Sequence, residues 1–328
     1  MILAGDIGGT NARLALYEVR AGKLEQVTET VFPSRQHSGL DEIVAKFAAQ
    51  LTPDQKPDAA CFGVAGPVVN GRVETSNLPW IVESSRLAAE LGLRHVRLMN
   101  DLEANAWGIA ALGTEDLIDL NQFPEKPNGN QAVVSAGTGL GEAGLYWDGQ
   151  KHHVFASEGG HADFAPRNED EMRLLQYLMA RFGHVSYERI LSGPGLVNVF
   201  SFLRDTGHER PSSWLVEEME ASDPAAAISR AAMEGKCALC EQALDLFVSI
   251  YGAEAGNAAL KVMAVGGVFL GGGIAPKILP KLKGPLFMDS FRSKGRLQRV
   301  MEAIPVRVIV NDKTALLGAA RCAQAGIF

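Results

Sequence analysis

Short apolar runs broken by glycine open the chain. Residues 2–4 and 14–19 read as strands on either side of Gly8-Gly9-Thr10, and residues 27–32 complete a predicted antiparallel meander. The period then changes. Leu40, Ile43, Val44 and Phe47 recur at helical spacing, residues 59–64 form a continuous apolar run before Gly66-Pro67, and residues 81–91 read as a helix ahead of a strand at 95–99. A helix at 102–111 is entered through Asn100-Asp101. Strands alternating with helices predict an α/β arrangement for the first third.

A polar, proline-containing stretch at 122–131 interrupts this pattern and reads as a connection, which places a domain boundary near 111–131. The opening pattern then recurs: an apolar run at 132–136, Gly137-Thr138-Gly139, an extended run at 144–147, a turn at Gly149 and a strand at 153–156. Two copies of one nucleotide-cradling unit are the expectation. Helical spacing dominates 169–182 and 224–264, with a polar loop at 206–213 between them and Asp223-Pro224 as an N-cap with first-turn proline. Val268 and Leu270 close a strand that runs into Gly271-Gly272-Gly273-Ile274-Ala275, helical character follows at 277–282, and a strand at 306–310 precedes a terminal helix at 314–323. At 328 residues the chain exceeds one core of typical size. The expected division is a small α/β domain of residues 1–110 plus 303–328 and a larger α+β domain of residues 111–302.

Composition narrows the function classes. A net charge of −7 argues against a dedicated nucleic-acid binder, and 47% hydrophobic with 21% charged residues is a globular mixture. Cys61, Cys237, Cys240 and Cys322 are too few and too scattered for a disulfide scaffold, which favours a reducing cytoplasm. The first residues do not read as a signal peptide, and the most apolar of the long uncharged stretches, between Lys261 and Lys277, is glycine-rich and shorter than the ~20 residues that span a bilayer. No membrane span is expected.

The 35 glycines, an excess over ordinary usage, gather where chemistry is expected. Asp6-Ile7-Gly8-Gly9-Thr10-Asn11 with Arg13 puts a carboxylate at a strand end and two glycines in the turn after it. Such a turn lets backbone N–H groups approach phosphate, and the aspartate can orient a hydrated Mg2+; the alternative is an ordinary hairpin. Gly137-Thr138-Gly139-Leu140-Gly141 is a second candidate phosphate clamp, and Gly271-Gly272-Gly273-Ile274 a third glycine cluster. Gly139, Gly141 and Gly144 match the dinucleotide fingerprint, but a strand and turn follow where that fold needs a helix, and no P-loop motif occurs. Asp101 reads either as a helix N-cap or as a general base for an attacking hydroxyl. Glu158-Gly159-Gly160-His161 presents polar groups from a loop, in a combination suited to sugar hydroxyls. Glu188 could add an acceptor or could be a surface helix charge. Cys237 and Cys240 lie in a helical pattern with no second metal-spaced pair and read as small buried residues, and His152-His153 shows no ligand geometry.

Taken together these motifs resemble the bacterial glucokinases, within the hexokinase and actin-like ATPase superfamily, over essentially the whole chain. The three glycine turns resemble the superfamily's two phosphate motifs and its adenosine motif. Leu98-Met99-Asn100-Asp101, the run from Ser157 to Pro166, and Tyr187-Glu188-Arg189-Ile190-Leu191-Ser192-Gly193 resemble the glucokinases in particular. The Cys-rich zinc motif of the related repressor branch is absent. The resemblance implies a two-domain actin-like ATPase (ribonuclease H-like) fold with a cleft between the domains, and phosphorylation of D-glucose to glucose 6-phosphate by ATP with Mg2+, the step that feeds glycolysis. It implies Asp101 as catalytic base and Asn77, Asn100, Glu158, His161 and Glu188 as sugar ligands. Gly5, Asp6, Ile7, Gly8, Gly9, Thr10, Asn11, Arg13, Gly137, Thr138, Gly139, Gly271, Gly272 and Gly273 would hold ATP, with Asp6 reaching Mg2+ through water. A cytoplasmic homodimer is expected. A kinase for another hexose or amino sugar, or a non-catalytic actin-like ATPase, are the alternative readings.

Overall fold

Gly8-Gly9-Thr10 folds as the strand-ending turn its glycines predict, and the strands beside it form a sheet. In the computed structural model, which describes residues 1–75, 78–123, 128–207 and 210–326, β1 (Ile2–Ile7) pairs antiparallel with β2 (Asn11–Arg20) and brings Asp6 opposite Arg13. β3 (Lys23–Pro33) completes the meander. α1 (Leu40–Ala48) buries Leu40, Ile43, Val44 and Phe47, the residues that carry its period, and leads to β4 (Ala59–Val64), parallel to β1. Burial of each such side chain contributes roughly 1.5–3 kcal/mol. The run at 81–91 divides: β5 (Arg72–Glu74) pairs with β6 (Ile81–Glu83), and only α2 (Ser84–Leu91) is helical. The exposed–buried–exposed alternation of Ile81, Val82 and Glu83 is a strand's pattern, too short to stand out from the helix that follows. β7 (Val96–Asn100) then pairs parallel with β4 and passes directly into α3 (Asp101–Gly108). The sheet order is β3-β2-β1-β4-β7.

The chain divides into two compact units, Met1–Glu115 with Asn311–Phe328, and Asp116–Val310. In the second, β8 (Leu117–Asp119) precedes the connection at 122–131, part of which lies outside the described residues. β9 (Gln131–Ala136), β10 (Leu140–Trp147) and β11 (His152–Ser157) form a second meander. Helices follow: α4 (Glu169–Phe182), α5 (Gly193–Thr206), α6 (Ser213–Ala221), α7 (Pro224–Met233) and α8 (Ala238–Val262). After them come β12 (Gly267–Gly271), α9 (Leu279–Leu282), α10 (Pro285–Arg292), α11 (Gln298–Ala303) and β13 (Val306–Ile309). β12 lies parallel to β9 and β13 parallel to β12, which gives the order β11-β10-β9-β12-β13-β8. The first five strands repeat the order and directions of the other sheet, so the recurrence seen in the sequence is a recurrence of topology.

Three further sequence readings change. The helical stretch at 224–264 breaks at Gly235, whose φ of +66° suits glycine, and restarts where Cys237 Sγ accepts a hydrogen bond from the Cys240 amide at 3.3 Å. Cys237 is thus the cap of α8 rather than a residue on its face. Residues 213–221, adjoining the predicted loop, are helical because Leu215 finds a buried place. Residues 306–309, grouped from sequence with the first domain, pair with β12 and β8 and belong to the second unit's sheet. Among the described residues no helix is long and apolar enough to cross a membrane.

The C-terminal helix, α12 (Thr314–Gln324), returns to the first unit and packs on α3 and β1. Its approach leaves no room for side chains. A Cβ at Gly318 would stand 1.7 Å from the Ala104 carbonyl oxygen and 2.6 Å from the Gly108 amide nitrogen, and one at Gly108 would stand 2.1 Å from the Thr314 carbonyl oxygen. Alanine at 318 adds at most about 1 kcal/mol of helix propensity. The backbone overlap outweighs it, so Gly318→Ala is expected to destabilise the protein by at least about 2 kcal/mol, read as a lower urea midpoint at constant m-value.

Candidate active site

The first glycine turn is braced from below. Gly8 donates its amide to the Asn11 carbonyl at 2.9 Å, and the buried Ser34 binds the turn twice, its Oγ donating to the Gly8 carbonyl at 2.8 Å and its amide to the Thr10 carbonyl at 2.9 Å. Nothing in the sequence singled out Ser34; its role arises from the register of β3 against β2. Asp6 ends β1 facing Arg13, whose Nη2 donates to Asp312 Oδ2 at 3.1 Å. Burial, partly offset by Arg13 and reinforced by Asp312, raises the Asp6 pKa to about 6. Asp6 and Asp312 are hard oxygen donors, and no group of three His, Cys, Asp or Glu that could hold a metal gathers among the described residues. That donor set suits a Mg2+ held chiefly by nucleotide phosphate oxygens and reached by carboxylate through water.

α3 presents Asn100 and Asp101. The cap of this helix is Asn100: its Oδ1 accepts from the Leu102 amide at 2.8 Å and its Nδ2 donates to the Gly66 carbonyl at 3.2 Å. Asp101 is the first helical residue, and its Oδ1 accepts from the same Leu102 amide at 3.0 Å, so Asn100 holds the cap position and Asp101 shares its bond. Its height is set by Gly63 of β4, where a Cβ would lie 2.8 Å from Ala104 Cβ and 3.7 Å from Asp101 Cα. Asn77 lies outside the described residues.

In the second unit, the 3-10 turn Gly159–His161 follows Glu158 and the 3-10 turn Tyr187–Arg189 carries Glu188. The two turns are tied by the Tyr187 amide donating to the Ala162 carbonyl at 3.1 Å and by bridge pairing of Asp163 with Ser186. As a result His161 sits between two carboxylates, with Nε2 at 3.9 Å from Glu158 Oε2 and Nδ1 at 4.0 Å from Glu188 Oε1. Glu158 and His161 are 58% and 59% exposed, so their polar atoms remain open to a ligand, whereas Glu188 is 30% exposed because its other oxygen is engaged. Glu188 Oε2 accepts from the Leu140 amide at 3.0 Å, one residue beyond the second glycine turn. Glu188 is thus a fixed acceptor and not a surface helix charge.

The second and third glycine clusters meet. Gly272, at φ +80°, is pressed so closely on the end of the neighbouring strand β9 that a Cβ would stand 2.2 Å from the Ala136 carbonyl oxygen, and the Ile274 amide donates to that same carbonyl at 3.2 Å. Gly137, Thr138 and Gly273 line one recess of about 760 Å3, whose walls include Leu196, Val197, Ile274 and Ile278. Its rim carries the starts of α5 at Gly193-Pro194 and of α7 at Asp223-Pro224. The volume and largely apolar walls suit a planar heterocycle, with glycine amides at one side for phosphate. The recess-lining residues of α5 were not foreseen; the cap-and-proline signature of Ser192-Gly193-Pro194 was the available signal. The Asp223 cap was foreseen, and its side chain accepts from the Ala225 amide at 3.0 Å.

A duplicated five-strand sheet with a glycine turn at the end of each first hairpin defines the actin-like ATPase fold, here in a kinase of that class. The family model for glucokinase matches residues 3–326. A glucokinase from Nostoc sp. is 42% identical over 98% of both chains. The crystal structure of a glucokinase from an Antarctic psychrotroph has a TM-score of 0.85 at 31% identity and covers 99% of this chain and 98% of its own. A glucokinase from Balamuthia mandrillaris, solved in complex with glucose, shares the fold with a TM-score of 0.73 at 22% identity over 98% and 93% of the two chains. The chain belongs to the glucokinase family.

Ser192 Oγ caps α5 through the Gly195 amide at 3.0 Å and also donates to the Glu188 carbonyl at 2.8 Å. Ser192→Ala removes both bonds and is expected to cost about 1 kcal/mol in urea unfolding, with faster amide exchange in the Tyr187–Arg189 turn.

Proposed function

We propose that this chain transfers the γ-phosphoryl group of ATP to the 6-hydroxyl of D-glucose. The observation that carries the reading is the convergence of Glu158, His161 and Glu188, with Glu188 also bonded to the amide beside the second phosphate turn. Two carboxylates and an imidazole match the vicinal hydroxyls of a pyranose, which need charged acceptors and a donor within one small patch. A non-catalytic ATPase has no use for that patch. Membership in the glucokinase family supports the same substrate.

In this reading the apolar recess at Gly137, Thr138 and Gly273 takes the adenosine, and the amides of the two phosphate turns take the phosphates. Mg2+, when bound with the nucleotide and held through Asp6, supplies positive charge against the transferring phosphoryl group. Asn100 and Asn77 add sugar hydrogen bonds. Asp101 orients the 6-hydroxyl and takes its proton as the new oxygen–phosphorus bond forms and the bond from the γ-phosphorus to the bridging oxygen breaks, releasing ADP, so the nucleophile does not carry an unfavourable positive charge. Water is chemically as good a nucleophile as that hydroxyl, so discrimination rests on position. Closure of the two units on the sugar, excluding water, provides it.

Asp101→Asn is expected to lower kcat by at least about 100-fold while glucose affinity changes by less than about fivefold, measured by a coupled assay and by calorimetry. Unchanged turnover removes Asp101 from the chemistry. Glu158→Gln is expected to raise the KM for glucose at least about tenfold, because a sugar hydroxyl loses its charged acceptor. The reading as a whole fails if ATP consumption is the same with and without glucose.

A further inference from the structure

The second unit contains a chain of buried polar side chains that phosphoryl transfer does not itself use. Glu142 of β10 is 5% exposed and Glu254 of α8 is fully buried. A buried carboxyl is costly unless its charge is removed or matched. Glu142 lies within hydrogen-bonding reach of Glu254, and burial together with that negative neighbour raises its pKa to about 8, with Lys261 acting in the opposite sense. Glu142 Oε1 receives no hydrogen bond from the described residues, so no donor there offsets a negative charge on the carboxyl. Glu254 accepts from Lys261 Nζ at 3.2 Å and from Asn257 Nδ2 at 2.8 Å. The same Asn257 Nδ2 donates to Tyr187 Oη at 3.0 Å.

Both ends of this chain touch the turns that carry the sugar-facing groups. At one end, Glu142 is packed against Gly159, where a Cβ would stand 2.0 Å from Glu142 Oε2 and 2.8 Å from Glu142 Cδ. Gly159 opens the turn between Glu158 and His161. At the other end, Tyr187 precedes Glu188 in the second turn. The groups surrounding the carboxyl pair are Lys261 and Tyr251 from α8, Tyr187 from its turn, Lys294 after α10, with Arg167 acting on Tyr187 and Lys294, and Ser157 of β11, the cross-strand neighbour of Glu142. Lys294, whose pKa burial lowers to about 8, bonds Asn257 and the Ala253 carbonyl.

We propose that Glu142 is a positioning residue for the sugar site: as a neutral acid shared with Glu254 it supports the Gly159–His161 turn, and loss of its proton displaces that turn and weakens sugar binding. Ionisation would set two negative carboxyls together in the interior. The 3-10 turn above them, which is open to solvent at Glu158 and His161, yields more readily than the 25-residue helix α8 below. The sign of the linkage is set by the raised pKa. The neutral form is complete at low pH, its contribution declines as pH rises above the ordinary carboxyl range, and it is lost once pH passes about 8. Tighter sugar binding on the acid side of this transition follows.

This inference rests on the glucose-kinase reading, so the wild-type protein must first show glucose-dependent ATP consumption; its absence refutes that reading. The test is KM for glucose and kcat between pH 6.5 and pH 9. Wild type is expected to show KM rising at least about fivefold across pH 8 with kcat changing less than about twofold. Glu142→Gln, neutral at every pH and able to hydrogen-bond Glu254, is expected to keep the neutral-pH KM within about twofold throughout. Lys294 still titrates in that variant, so a KM that climbs as in wild type overturns the proposal, as does a flat wild-type profile. Should Glu142→Gln not fold, Glu254→Gln is measured in its place. Removing the negative neighbour moves the wild-type rise to lower pH, and an unmoved rise overturns the proposal.

Discussion

One carboxylate organises the second unit. Glu188 Oε2 accepts the amide of Leu140, which follows the second glycine turn, while Oε1 of the same group lies at His161. Because a carboxylate is planar and rigid, engaging one oxygen on backbone fixes where the other points. Gly139 is glycine for the same reason: a Cβ there would stand 2.4 Å from Glu188 Oε2. The second glycine turn and the Tyr187–Arg189 turn are therefore held in register by a charge-assisted hydrogen bond rather than by packing alone.

The first unit solves a similar problem with backbone contact. Asp101 must stand at a set height at the start of α3, and that helix is clamped between β4 and the C-terminal helix. Both contacts are made through glycines, Gly63 on one side and Gly108 and Gly318 on the other. Helices this close have almost no freedom to slide, because interiors are packed at the density of organic crystals and any shift forces overlap. The terminal helix thus acts on the candidate catalytic residue although its own side chains carry no chemistry.

The buried chain from Glu142 through Glu254 and Asn257 to Tyr187 adds a polar support under the Gly159–His161 and Tyr187–Arg189 turns. An apolar filling would stabilise the same volume at least as well. Directional hydrogen bonds do something packing does not: they specify the orientation of the turns they meet. The same directionality makes the support sensitive to a single proton.

Much was legible in the residues themselves. The strand–glycine–strand openings, the helical period of Leu40 to Phe47 and the Asp223-Pro224 cap are short-range signals, since backbone dihedrals and side-chain periodicity are set within a few residues. The duplicated topology was legible for that reason, as were the glycine turns and the loop bearing Glu158 and His161. Cooperation among distant segments was not. Whether Asn100 or Asp101 caps α3, whether Glu188 faces solvent or the Leu140 amide, and whether Ser34 braces the first turn depend on the register of strands far apart in the chain. Glu142 and Glu254 each read locally as ordinary charged residues, and only their shared burial raises the Glu142 pKa. Local conformation is decided by neighbours in sequence, whereas solvation and charge are decided by neighbours in space, and those neighbours exist only once the chain has folded.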